Sequence, residues 1–84
     1  MIPILMPQLG QDIETATVVE WYKGENDEVR AGEIIVTVES EKCAFDVEAE
    51  SSGVLLKILH QVGAEVQILT PIGYIGAPGE EVEE

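Results

Sequence analysis

Lys42 is the residue of this chain whose type and setting point most directly to chemistry. It is one of four basic residues, and carboxylates surround it at Glu39, Glu41 and Asp46. A lysine that acts as a Schiff base or general base needs a depressed pKa, which burial or nearby cations provide. Nearby negative charges favour the ammonium form instead. This setting excludes catalysis by the bare amine and leaves two readings, a solvated surface charge or a site of covalent attachment.

Two alternating polar and apolar runs meet at Glu41 and Lys42 and predict a β-hairpin with these two residues at its exposed tip. A slip of one residue would turn every side chain to the wrong face, so the pattern fixes the register. Tight hairpins favour Asn-Gly, Asp-Gly or Gly-X at the tip, and no such pair occurs here. The predicted register joins apolar residues in pairs, Val38 with Phe45 and Val36 with Val47.

The rest of the chain reads as a series of short β-branched runs separated by turn-rich segments. This pattern is typical of an all-β sandwich or barrel. Trp21 and Phe45 are expected to fill its core. The predicted strands cover residues 2–5, 15–22, 34–39, 43–50, 54–60 and 72–75.

An internal repeat supports the all-β prediction. A shift of about 37 residues lays the apolar positions of residues 16–38 on those of residues 53–75. We interpret this as two similar half-domains that contribute strands to two sheets related by a pseudo-two-fold axis. The same symmetry predicts that both chain ends lie on the side opposite Lys42.

Size and charge limit the classes of function. A chain of 84 residues suffices for one small domain. The formal net charge of -13 argues against binding to nucleic acids or anionic membranes, whose phosphates would repel it. This charge serves either solubility or attraction of a basic partner. The lone Cys43 fits a reducing compartment, and no bilayer-spanning run or signal peptide is evident, so we expect a soluble protein.

No residue other than Lys42 forms a constellation that suggests catalysis or metal binding. His60 has no second ligand at a suitable spacing, so no metal site is expected. The acidic neighbours of Cys43 argue against a reactive thiolate. The sequence contains no phosphate loop, nucleophile triad or paired-carboxylate motif, and we expect a protein that is not itself an enzyme.

The stretch VTVESEKCAFDVEAE, residues 36–50, resembles the lipoyl-attachment hairpin of the biotinyl/lipoyl domains. MPQLGQDIE (residues 6–14) and VVEW (residues 18–21) resemble the opening of the lipoyl domain in the dihydrolipoyl acyltransferase component of 2-oxo acid dehydrogenase complexes. The resemblance implies a flattened barrel of two four-stranded antiparallel sheets, with lipoate amide-linked to Lys42 and with Gly53 closing the second hairpin strand. It implies a non-catalytic carrier domain at residues 1–79, followed by an acidic tail or linker start at 80–84.

The resemblance also implies partners and a recognition surface. The partners are a thiamine-dependent 2-oxo acid decarboxylase, an acyltransferase core, a dihydrolipoyl dehydrogenase and a lipoylating ligase. The expected location is the cytoplasm, or the mitochondrial matrix in a eukaryote. The candidate recognition residues flank the lysine or lie in the loop after the first strand: Glu39, Ser40, Glu41, Cys43 and Ala44, and Gln8, Leu9, Gly10, Gln11 and Asp12.

The lysine flanks depart from the commonest family pattern. Most lipoyl domains have Asp-Lys-Ala where this chain has Glu41, Lys42 and Cys43. Biotin domains flank their lysine with methionines, which are absent here. The Glu-Ser-x-Lys-x-Ala element of the glycine-cleavage hydrogen-carrier protein also fits residues 39–44. Two alternatives to a lipoyl carrier remain, a biotin carboxyl carrier and an unmodified interaction module.

Overall fold

Two antiparallel sheets of four strands make up the computed structural model, which describes residues 2–8, 10 and 12–78. One sheet has the strand order β1-β8-β6-β3 and the other the order β5-β4-β2-β7. This confirms the predicted all-β fold. The strands are β1 (Ile2–Leu5), β2 (Thr15–Trp21), β3 (Glu28–Val29), β4 (Ile34–Glu39), β5 (Ala44–Glu48), β6 (Gly53–Ile58), β7 (Glu65–Gln67) and β8 (Pro71–Gly76).

The core lies between the two sheets and is built from β-branched and other aliphatic side chains. Each sheet turns one face of alternating residues inward, as expected for a two-layer β structure. The exposed outer faces carry most of the charged residues in the strands. The side chains that are almost fully removed from solvent are Met6, Val18, Ile35, Val36, Val38, Leu55, Ile72 and Ile75.

The strand pairing confirms the predicted pseudo-two-fold symmetry. Thr17 pairs with Glu39 in one sheet, and Val54 pairs with Gly76 in the other. The two pairs are equivalent, because Thr17 precedes Val54 by 37 residues and Glu39 precedes Gly76 by the same number, which is the spacing of the sequence repeat. The hairpin between β4 and β5 therefore corresponds to the place where, in the other half, β8 ends and β1 begins.

Left-handed backbone conformations recur at symmetry-related positions. Gly32 has a φ of 86° and its counterpart Leu69 has a φ of 64°. Asn26 has a φ of 75° and its counterpart Gly63 has a φ of 94°. Glycine adopts this conformation at no steric cost, whereas leucine does so with strain. The second half-domain therefore carries strain that the first half-domain avoids.

We expect Leu69→Gly to stabilise the domain. The side chain of Leu69 is 60% exposed, so its loss removes little packing. Relief of the left-handed strain should raise the free energy of unfolding by about 1 kcal/mol, measured by urea denaturation. The matched control is Leu5→Gly, which makes the same change in a strand and should lower the free energy of unfolding. Equal destabilisation by the two variants would contradict this account.

The turn between β3 and β4 is stabilised by Glu33. Its carboxylate accepts a hydrogen bond from the Arg30 backbone N–H at 3.1 Å and lies 3.2 Å from the Lys23 ammonium. The Arg30 N–H first, and then Lys23, lower the pKa of Glu33 below the ordinary value of 4.5. The stability that this carboxylate contributes is thus present above the ordinary pKa and is lost as the pH falls through the lowered one.

An NMR titration should show the Glu33 carboxyl group protonating at a lower pH than an ordinary glutamate. Replacement Lys23→Ala should move this midpoint toward the ordinary value, because the ion pair is lost. Lys42→Ala is the matched control and should leave the midpoint where it is. A Glu33 midpoint that does not respond to Lys23→Ala would contradict the assignment of this ion pair.

The structure corrects two predictions about individual residues. Phe45 does not fill the core but is 49% exposed. It lies on β5, an edge strand, and lines a groove of about 250 Å³ with Leu5 and Leu69 where the two sheets are open. Gly53 does not close the second hairpin strand but begins β6, where an added Cβ would lie 2.7 Å from the Gly76 carbonyl oxygen.

Trp21 packs against the core as predicted, although it is half-buried. Its indole N–H donates to the backbone carbonyl of His60 at 2.9 Å. Buried indole groups generally need such a partner. The bond joins the end of β2 to the segment that follows β6, so it connects the two sheets.

Candidate attachment site

The β4–β5 hairpin has the predicted register. The pairs observed include Val36 with Val47 and Val38 with Phe45. Beyond the last strand pair, the backbone N–H of Ser40 donates to the Cys43 carbonyl at 2.8 Å and closes the turn. Lys42 is exposed at the tip.

The turn does not use the left-handed conformations that tight hairpins usually require. Neither Glu41 nor Lys42 has a positive φ. The hydroxyl of Ser40 instead accepts the backbone N–H groups of Lys42 and Cys43, each at 3.2 Å. Serine hydroxyls commonly make such turns, because they mimic a backbone acceptor. This explains how a hairpin without glycine or asparagine can present a lysine.

A chain of polar groups ties the hairpin to its neighbour below the tip. The Thr37 hydroxyl donates to Asp46 Oδ1 at 2.8 Å, which joins β4 to β5. The Tyr22 hydroxyl lies 2.8 Å from the same Thr37 oxygen. Because Thr37 has one hydroxyl proton and gives it to Asp46, Tyr22 donates to Thr37. These bonds fix the outer face of the sheet directly beneath the attachment hairpin.

The tip lies at the end of the sandwich away from the chain ends. β7 pairs with the start of β2, which also pairs with the tip end of β4 through Thr17 and Glu39. After β7 the chain turns into β8, so β8 begins at the end that carries Lys42. It then runs away from that end, and its last residues pair with the start of β1 at Ile2. The geometry predicted from the repeat is thus observed in the described residues.

The Lys42 side chain points into solvent without a partner among the residues that the structure describes. Lys23, by contrast, forms an ion pair with Glu33 at 3.2 Å. Like Lys42, the hairpin residues Glu39 and Glu41 are exposed. The ammonium of Lys42 is therefore accessible to an enzyme that would acylate it.

The structure brings part of the predicted recognition surface together. A cleft of about 490 Å³ beside the tip is lined by Asp12 from the β1–β2 loop and by the hairpin flanks Glu39, Ser40 and Glu41. Glu14 and Glu65 also line it and were not predicted, because only the folded chain brings β7 beside the start of β2. The cleft is consequently acidic.

The remaining recognition candidates are placed differently. Gln8 is exposed and Gly10 is half-buried, and neither lines the cleft. Cys43 and Ala44 are exposed on the hairpin. Ser40 is only 9% exposed, so its surface is largely withdrawn from any partner. Leu9 and Gln11 lie outside the described residues, as do Gly79 and the acidic segment 80–84.

Within residues 2–8, 10 and 12–78, no three side chains of the metal-binding types come together. No helix long and apolar enough to cross a membrane occurs in that part of the chain.

Known proteins are similar to this chain in sequence and in fold. A family model for biotin and lipoyl domains, described as biotin-requiring enzyme, matches residues 2–75. The chain belongs to the biotin/lipoyl family. In three dimensions it is similar to the lipoyl domain of the 2-oxoglutarate dehydrogenase complex from Azotobacter vinelandii, with a TM-score of 0.77 and 30% identity over 94% of this chain and 100% of that one.

Several curated proteins contain a similar segment. The pyruvate dehydrogenase E1 component subunit beta of Rhizobium meliloti is 36% identical over 99% of this chain and 18% of its own length. A dihydrolipoyllysine-residue succinyltransferase component from Rickettsia bellii is 36% identical over 96% of this chain and 20% of its own length. The acetyltransferase component of the Bacillus subtilis acetoin cleaving system is 37% identical over 99% of this chain and 21% of its own length. The chain thus spans about a fifth of the length of these relatives.

These comparisons confirm the lipoyl-domain resemblance and its fold. They also confirm that the chain is a carrier domain and not itself catalytic. Membership of the biotin/lipoyl family implies a covalently attached lipoate or biotin. The exposed amine of Lys42 has the chemistry to form the amide that either group requires.

Proposed function

We propose that this chain is a lipoyl carrier domain and that Lys42 holds lipoate in amide linkage. The observation that carries the proposal is the position of Lys42. It is exposed at the tip of a hairpin of defined register, at the end of the sandwich away from the chain ends. A domain tethered through its ends would thus present this amine outward.

The protein's own contribution is position and reach. Lipoate, if attached, would supply a dithiolane that takes up an acyl group as its disulfide is reduced, passes that group to coenzyme A, and is then reoxidised by a flavin-containing dehydrogenase. The hairpin holds the Lys42 nitrogen at the tip, clear of the sheet faces. Tethering a carrier to its enzymes replaces free diffusion with a high effective concentration at each site.

We further propose the partners that this role requires. They are a thiamine-dependent 2-oxo acid decarboxylase, an acyltransferase core, a dihydrolipoyl dehydrogenase and a lipoylating ligase, in the cytoplasm or the mitochondrial matrix. The relative from Rickettsia bellii is named as a component of the 2-oxoglutarate dehydrogenase complex, and this supports such a set of partners. The acidic cleft that contains Asp12, Glu39 and Glu41 is suited to a basic surface on one of these enzymes.

Biotin is the alternative group that the family permits. Glu41 and Cys43 stand where biotin domains carry methionines, and this favours lipoate. A solved structure that resembles 94% of this chain is likewise named as a lipoyl domain.

Parallel reactions with two ligases separate the candidates. The purified protein is incubated with lipoate, ATP and a lipoate–protein ligase, or with biotin, ATP and a biotin–protein ligase, and its intact mass is measured. We expect a single lipoyl increment and no biotin increment. A biotin increment without a lipoyl increment would establish the biotin carrier, and no increment in either reaction would favour the unmodified interaction module.

A further inference from the structure

Ser40 is a buried polar residue at the base of an exposed hairpin tip. It is 9% exposed, whereas Glu41, Lys42 and Cys43 are all exposed. Its hydroxyl accepts the N–H groups of Lys42 and Cys43 at 3.2 Å and donates to the Cys43 carbonyl at 3.2 Å. One side chain thus bonds to three groups of the turn backbone.

The Ser40 hydroxyl is the described side-chain acceptor for the backbone N–H group of Lys42. No other described side chain accepts that N–H group, and the backbone bond from the Ser40 N–H to the Cys43 carbonyl closes the turn without engaging Lys42. The order of the Lys42 backbone within the closed turn consequently depends on the Ser40 hydroxyl.

We propose that Ser40 is a positioning residue for the modification of Lys42. It orders the turn from within, so that a modifying enzyme meets the lysine in one arrangement and does not have to order the turn on binding. This inference rests on the proposed attachment at Lys42. It differs from the recognition role predicted from the sequence, because a side chain that is 9% exposed offers a partner little surface.

The test combines ligase kinetics with a local structural measurement. Lipoate–protein ligase is assayed with wild-type protein and with Ser40→Ala, and solvent exchange of the Lys42 and Cys43 amide protons is measured by NMR. We expect faster exchange of both amides in Ser40→Ala. We also expect a fall in kcat/KM of about fivefold, mainly through a higher KM, because the ligase must then order the turn when it binds.

Two further variants make the test specific. Ser40→Thr keeps a hydroxyl. Compared with Ser40→Ala, both its Lys42 and Cys43 amide exchange rates and its kcat/KM should therefore lie closer to the wild-type values. Ser52→Ala is the matched control. The Ser52 hydroxyl accepts the Ala31 N–H at 3.1 Å, and Ser52 directly precedes Gly53, which begins β6 at the end away from Lys42. Its loss should leave the ligase kinetics unchanged.

Either of two results overturns the proposal. One is faster amide exchange in Ser40→Ala with an unchanged kcat/KM, which would show that the order of the turn does not matter to the ligase. The other is a reduced kcat/KM with unchanged exchange, which would show that the ligase reads Ser40 directly. Failure of the wild-type protein to accept lipoate would instead refute the proposed function, so the two failures are distinguishable.

Discussion

Lys42→Arg is expected to abolish lipoylation completely while the domain remains folded. Arginine keeps the positive charge but has no primary amine that a ligase can acylate. Lys42 is exposed and makes no ion pair with a described residue, so the substitution should change the free energy of unfolding by less than about 0.5 kcal/mol. The measurements are the intact mass after reaction with ligase and a thermal unfolding curve.

Lys23→Arg is the control for this experiment. Lys23 pairs with Glu33 in the turn that follows β3, and arginine can preserve that pair. The Lys23→Arg protein should therefore gain one lipoyl group at the wild-type rate. An increment that persists in Lys42→Arg would place the attachment elsewhere, and unfolding of Lys42→Arg would make the lysine a structural residue.

Gly73→Ala is expected to cause a large loss of stability. Gly73 lies in β8, between β1 and β6, and an added Cβ would stand 2.8 Å from the Lys57 carbonyl oxygen. It would also lie 3.3 Å from Ile4 Cδ1 and from Trp21 Cη2. Because the nearest obstacle is backbone, the sheet itself must move. We expect a loss of about 2–3 kcal/mol in the free energy of unfolding, measured by urea denaturation.

Gly24→Ala provides the matched comparison. An added Cβ there would approach only Asp27 Oδ2, at 3.4 Å, which is ordinary van der Waals contact. The change should therefore alter the free energy of unfolding by less than about 0.5 kcal/mol. A domain of this size has a total of about 4–12 kcal/mol, so the two variants should be clearly separated. Similar stabilities for both would contradict the close approach described at Gly73.

The sequence was sufficient to predict the attachment hairpin because apolar and polar residues alternate on both sides of the tip, from Val36 to Glu39 and from Phe45 to Glu48. One face of β4 is buried at Val36 and Val38, so only one register hides the apolar residues. The sequence repeat likewise predicted the symmetry of the sheets, since both halves bury equivalent positions. These features depend on local patterns that repeat along the chain.

Features that depend on the folded chain were missed. β3 and β7 have 2 and 3 residues, too few to show alternation, and form only because longer strands provide partners. Phe45 occupies an inward position in the alternating pattern, but it is exposed because β5 is an edge strand. The sequence pattern does not reveal which strands lie at an edge. The role of Ser40 was also missed, because its hydrogen bonds run to the backbone and leave no periodic signal.

The most direct test of the account is to locate the modification by fragmentation mass spectrometry of the protein after reaction with lipoate and its ligase. We expect one lipoyl group, on Lys42, and none on Lys23 or Lys57. Attachment to either of the other lysines, or an unmodified Lys42 in folded protein, would contradict the claim that this hairpin exists to present an amine.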